Sequence, residues 1–169
     1  KGLMLYLVTL VFVKSLHELG HAFVSKYFGC RVSSIGIAFL VFFPFLYTDT
    51  SDAWRLRDHK DRLLINFAGI LTELHLALIS TFLWAILPDG GLKSVAFFIA
   101  TTSWISSLAI NVSPFMRFDG YYVFSDWLKA ENLQPRSFAL ARWQLREILF
   151  GFNHPPPEDL NPSRRWTFI

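Results

Sequence analysis

Between Leu3 and Phe28 the chain is almost continuously apolar, and the second half of this run carries His17-Glu18-Leu19-Gly20-His21. As a helix rising 1.5 Å per residue the run spans roughly 39 Å, enough to cross the hydrocarbon of a bilayer with some tilt. Gly29 is a natural stop. The run is too long for the apolar core of a signal peptide and no cleavage pattern follows, so it is read as a retained span. Ionisable side chains inside such a segment are costly to bury, which marks these three as functional.

H-E-x-x-H on a helix puts His17 and His21 one turn apart on one face, where two imidazoles can take adjacent corners of a zinc tetrahedron at roughly 2.0 to 2.1 Å. Glu18 lies one step round, within reach of a water at an open corner, and Gly20 lets another backbone come close. Lys14 stands in mid-helix and must face a polar interior or reach a carboxylate.

The rest of the chain is of the same kind. With 53% hydrophobic and 17% aromatic residues in 169 positions, its apolar runs are too long for a soluble core. The net charge of +3 is spread between spans instead of forming one patch, so nucleic acid is excluded as a partner and the lipid bilayer is expected instead. Cys30, the single cysteine, allows no intrachain disulfide and no C-x-x-C motif, and is expected to pack at a helix end.

In order, residues 1–28 form span one. Val32 to Tyr47 (32–47) is rich in Ile, Val and Phe, too short to cross, and interrupted by Gly36 and Pro44, which suits strands that dip into the membrane and return. Thr48 to Arg62 is a polar loop or short helix. Span two is 63–87, closed by Pro88-Asp89-Gly90-Gly91, and it buries Asn66, Glu73 and His75, with Gly69 offering a close helix contact.

Span three, 92–128, carries Thr101, Thr102, Ser103, Ser106 and Ser107, must break at Asn111-Val112-Ser113-Pro114, and restarts at Asp119-Gly120. An amphipathic helix over 136–150 is expected to face the membrane with Phe138, Leu145, Ile148 and Leu149, or else to pack as a cytosolic helix. Residues 151–169 read as a Pro-rich extended linker followed by the start of a further segment. Because the chain begins at Lys1 and ends in Arg164-Arg165-Trp166-Thr167-Phe168-Ile169, it is expected to be a piece of a longer protein.

Lys26, Arg31, Arg55, Arg57, Lys60 and Arg62 lie between spans one and two, and Lys129, Arg136, Arg142 and Arg146 follow span three, whereas the turn between spans two and three has only Lys93. The positive-inside bias puts the first two groups in the cytoplasm, so span one runs inward. His17 and His21 then lie about 10 to 16 Å from the cytoplasmic helix end, and a polar channel from that side is the simplest water supply.

H-E-L-G-H in an inward span, a membrane-dipping β segment, and Asn111-Val-Ser-Pro114-Phe-Met-Arg-Phe118-Asp119-Gly120 together resemble the site-2 protease family of intramembrane zinc metallopeptidases. That family's second motif is N-x-x-P-x-x-x-L-D-G, met here with Phe118 in place of leucine. Tyr47-Thr-Asp-Thr-Ser-Asp-Ala-Trp54 and Arg117-Phe-Asp-Gly-Tyr-Tyr-Val-Phe-Ser-Asp126 are similar to a bacterial branch of peptide zinc metalloproteases. Members of that branch often carry a periplasmic adaptor-like region, and some accompany peptide export systems.

Where many members have A-G-P-x-x-N, this chain reads Ala68-Gly69-Ile-Leu-Thr-Glu73. The asparagine that helps hold substrate is missing and a carboxylate stands nearby. No PDZ-like insertion fits between Leu87 and Leu92.

The resemblance implies a mainly α membrane protein: a three-span zinc metalloprotease core over 1–150 with a membrane-dipping β segment and a C-terminal amphipathic helix. It carries over His17, His21 and Asp119 as ligands of Zn2+, Glu18 as general base and Asn111 as a substrate-positioning residue. Independently, a catalytic zinc needs three protein ligands and an open position, and Asp119 stands at a helix break beside a glycine; as an alternative it caps the helix that follows. Asn111 is alternatively a polar contact between helices. Glu73 and His75 point about 200° apart on a helix, so at most one faces the metal. Their expected role, with Lys14, is a bond to a ligating histidine or an ion pair.

The expected activity is hydrolysis of a membrane-embedded or exported peptide in the bacterial inner membrane, with a periplasmic adaptor or export system as a further partner. Two rivals are a non-catalytic zinc-binding component of such an export system and an ion or metal transporter. The latter would string polar residues along several spans, not gather them at one depth.

Overall fold

The computed structural model describes residues 2–40, 43–113, 118–128, 132–152 and 154–158. The chain divides into two compact units, Lys1–Val123 and Phe124–Ile169.

In the first unit, helix α1 (Gly2–Tyr27) is followed by strands β1 (Ile35–Leu40) and β2 (Phe43–Thr48), a 3₁₀ turn (Ser51–Arg55), helix α2 (His59–Ile86), helix α3 (Gly91–Trp104), a π-helical segment (Ile105–Asn111), and the start of helix α4 (Asp119–Trp127). Helix α1 ends as expected at Gly29, whose φ of 74° is left-handed. Its amide donates to the Lys26 carbonyl at 3.0 Å and that of Cys30 to Ser25 at 2.9 Å, the bond pattern that closes a helix over a left-handed glycine. Cys30 is then buried with Ala53 and Ile65, packed by Val24, Phe28 and Leu56. It therefore packs at the helix end.

The two strands pair antiparallel from Ile35 opposite Thr48 to Leu40 opposite Phe43. Helix α2 begins at His59, four residues ahead of the expected span. Asp58 caps it by accepting from the Lys60 amide at 2.9 Å, and the polar residues 59–62 form its first turn. The third span is more divided than expected: α3 is only 14 residues long, about 21 Å, and continues to Asn111 through the π segment.

Helices α1 and α2 are each long and apolar enough to cross a membrane, and the first unit is inside-out relative to a soluble protein. The buried face of α1 is the every-fourth-residue stripe Thr9, Val13, His17, His21 and Ser25. Opposite it α2 buries Ile65, Ala68, Gly69, Ile70, Glu73, Ala77 and Ser80, and α3 buries Ala96, Ala100, Thr102 and Ser103. Outward stand Leu3, Leu7, Val11 and Phe12 of α1, Leu78, Ile79 and Phe82 of α2, and Leu92 and Phe97 of α3, all exposed. Apart from Val13, Ile65 and Ile70 these helices bury small and polar residues and turn large apolar ones outward, the distribution that lipid, not water, stabilises.

In the second unit, helix α5 runs Leu133–Phe150, three residues earlier than expected, with Pro135 tolerated in the first turn. Phe138, Leu145, Ile148 and Leu149 are exposed along it. The residues after it are not an extended linker. The Trp143 indole donates to the His154 carbonyl at 2.9 Å, the His154 amide donates to Glu147 at 3.1 Å, and Arg136 pairs with Glu158, so residues 154–158 fold back along α5. The further segment expected after them lies outside the described residues.

Candidate metal centre

His17 and His21, one turn apart on α1, turn their Nε2 atoms towards each other at 3.2 Å. From the start of α4, Asp119 Oδ2 completes a triangle, 2.9 Å from His17 Nε2 and 3.3 Å from His21 Nε2. Ligands at zinc bond lengths of about 2.05 Å on a tetrahedron lie about 3.3 Å apart, so the triangle is close to the right size.

Proton positions favour the same conclusion. His21 Nδ1 lies 2.8 Å from the carbonyl of Ile65, which can only accept, so the ring proton sits on Nδ1. His17 Nδ1 lies 3.1 Å from Glu73 Oε1, with the same consequence. Both Nε2 atoms therefore present lone pairs, and Asp119 Oδ2 is buried without a hydrogen-bond donor. Three electron-rich atoms facing one point repel unless a cation lies between them. The residues fit a divalent metal.

Glycines make room for this cluster. A Cβ on Gly69 would collide with both imidazoles, and one on Gly20 would strike the side chain of Thr72, so α1 and α2 approach closely where the ligands sit. A Cβ on Gly120 would collide with the backbone of Asn111 and Val112, so the turn carrying Asp119 rests directly on the end of the π segment.

Behind His17 is a second polar cluster. Glu73 is 0% exposed, and its Oε1 accepts from Lys14 Nζ at 2.8 Å, His17 Nδ1 at 3.1 Å and Ser106 Oγ at 3.1 Å. Its Oε2 accepts from Asn111 Nδ2 at 2.9 Å. Residues five apart in an α-helix point about 140° away from each other. Under the i to i+5 bonding of a π-helix they stack on one face, which is how Ser106 and Asn111 reach the same carboxylate.

Of the residues expected at the site, His17, His21, Asp119, Glu73, Lys14 and Asn111 are thus gathered at one depth. Glu73 touches a histidine and Lys14. Asn111, expected to face substrate, is buried and gives its amide to Glu73. His75 points away and bonds the Leu71 carbonyl at 2.7 Å on an exposed face. Glu18 is half-buried beside His17, and its main-chain carbonyl accepts from Thr48 Oγ1 at 3.0 Å, tying β2 to the motif. Ser106, the Ile65 carbonyl and Thr48 were not singled out from sequence. The serines of the third span were legible as polar, but their partner depends on the π turn.

Two histidines and a carboxylate converging on one point, beside helices apolar enough to cross a membrane, make a candidate metal site of a membrane protein. The chain belongs to peptidase family M50: the family's model matches residues 4–90, about half of the length. That is the site-2 protease family, whose members are membrane-embedded, zinc-dependent metallopeptidases. The match includes H-E-L-G-H and Glu73 but stops before Asp119, whose place in the triangle rests on geometry. No curated protein and no solved structure matches the chain.

Proposed function

We propose that this chain is the core of an intramembrane zinc metalloprotease that cleaves a membrane-embedded or exported peptide at the bacterial inner membrane. The observation that carries this reading is the triangle of two imidazole Nε2 atoms and one carboxylate oxygen, with separations of 2.9 to 3.3 Å. In it His17, His21 and Asp119 hold the metal, α3 with its π segment makes the third crossing, the hairpin dips into the bilayer, and α5 lies along its surface.

Zinc bound there supplies a Lewis acid that polarises the scissile carbonyl and lowers the pKa of water from 15.7 towards roughly 7. Glu18 takes the proton of the attacking water on its carboxylate and returns it to the leaving amine. Glu73 keeps the His17 proton on Nδ1, the Ile65 carbonyl does the same for His21, and the apolar exterior keeps bulk water from every side but the polar interior.

A transmembrane substrate has its amides bonded within its own helix, so cleavage requires unwinding, and pairing with a strand edge of the hairpin offsets the lost bonds. Thr48 holds that hairpin against Glu18. Ile37→Pro in β1 should therefore lower turnover with zinc content unchanged; undiminished turnover removes the strand edge from the mechanism. Val41, the other strand position of interest, lies outside the described residues.

The decisive experiment compares wild type with Glu18→Gln at matched zinc content, reading cleavage of a candidate peptide. The variant keeps shape and hydrogen bonding but cannot take the proton, so turnover should fall by on the order of 10² to 10⁴. Equal turnover would make H-E-L-G-H structural and favour a zinc-binding export component.

A further inference from the structure

The segment that commonly reads A-G-P-x-x-N in this family ends here in Glu73, and Lys14 of α1 stands against it. The two charges belong together physically. Lys14 precedes His17 by three positions and Glu73 follows Gly69 by four, so each charge sits one turn from the point where α1 and α2 touch. A carboxylate with no exposure, within helices that present apolar surfaces outward, is costly to desolvate without a countercharge.

Lys14 Nζ at 2.8 Å is that charge, and its side chain remains 26% exposed, so its aliphatic stem threads from the surface to the interior. The remaining acceptor sites of Glu73 go to Ser106, Asn111 and His17. Oε1 is therefore held on the far side of the His17 ring from the triangle. A metal-ligating histidine whose other nitrogen is bonded by a carboxylate is fixed in tautomer and ring orientation, and losing that partner typically costs 10- to 100-fold in metal affinity.

We propose that Lys14 and Glu73 form an obligatory charge couple, in which Glu73 is the positioning residue that holds His17 ready for the metal and Lys14 makes a carboxylate at that position sustainable. This rests on the reading of His17, His21 and Asp119 as the metal site. It assigns the two residues different consequences. Glu73 acts on metal affinity, whereas Lys14 acts on whether the fold tolerates Glu73.

The test uses the full chain in detergent with four proteins: wild type, Glu73→Gln, Lys14→Met, and the double variant. Each is examined for yield of folded protein, melting temperature, zinc affinity by competition with a chelator, and the visible spectrum after cobalt replacement. Glu73→Gln should bind zinc 10- to 100-fold more weakly with a changed cobalt spectrum. Lys14→Met should melt lower or fail to accumulate. The double variant should recover yield and melting temperature while keeping the weakened zinc binding of Glu73→Gln, a non-additive cycle.

Wild-type zinc affinity in Glu73→Gln overturns the positioning role. A double variant no more stable than Lys14→Met overturns the couple. Wild-type protein that takes up no zinc overturns the underlying metal-site reading together with the positioning of His17, while the stability cycle still decides the couple.

Discussion

His17 is supported from two sides by opposite means. Towards α2 at Gly69 it is held by an absence: the two imidazoles occupy the volume where a side chain would begin. Towards Glu73, one turn further along α2, it is held by an abundance, since that carboxylate collects an ammonium, an amide, a hydroxyl and the imidazole itself. A support made of empty space fails when an atom is added, because close-packed neighbours cannot yield. A support made of shared hydrogen bonds fails by degrees when one donor is removed. The two sides of one ligand should therefore respond differently to mutation.

The sharpest way to break this contrast is Gly69→Ala. One methyl collides with both ligands at once, and zinc affinity should fall by on the order of 100-fold, with about 1 to 3 kcal/mol of stability lost to overpacking. Chelator competition and thermal melting measure both, and unchanged zinc binding would mean that the helices can part without cost. Ser106→Ala tests the other side. It deletes one of the four donors to Glu73, so stability should drop by about 1.5 to 3 kcal/mol while zinc affinity changes by less than about tenfold. A loss matching that of Gly69→Ala would erase the distinction.

Gly29→Ala isolates a glycine that serves backbone shape alone. Open space surrounds it and its φ is 74°, so the cost should be about 1 to 2 kcal/mol of stability, with zinc affinity as in wild type.

The steric side was largely legible in the sequence. H-E-L-G-H declares its geometry because both histidines lie on one helix, and Gly20 and Gly69 announced close approach before any partner was known. Gly29 fell where a helix end was expected, while the break expected at Pro114 lies outside the described residues. The polar side was only half legible. Spacing established that Glu73 and His75 diverge, but which of them faces inward depends on how α2 rotates against α1. The substrate role expected of Asn111 did not anticipate Glu73 as its partner, because α-helical phase would have separated Asn111 from Ser106.

Helix boundaries drifted for a related reason. Hydropathy ends a span where polar residues begin, yet His59, Lys60, Asp61 and Arg62 form good helix once Asp58 caps it. The fold-back of residues 154–158 likewise depends on Arg136 meeting Glu158, a pairing that a proline run hides.

The π segment has one more consequence. A π turn is equivalent to one residue inserted into an α-helix, and everything after the insertion is turned by about 100° and advanced by about 1.5 Å. Removing a single residue between Ile105 and Asn111 would restore ordinary phase, swing Asn111 off Glu73, and move the carbonyls on which Gly120 is seated. The alignment of Asp119 with two histidines a hundred residues earlier in the chain is thus stored as an offset of one in the residue count of a helix, where a change in length would do more damage than almost any change in composition.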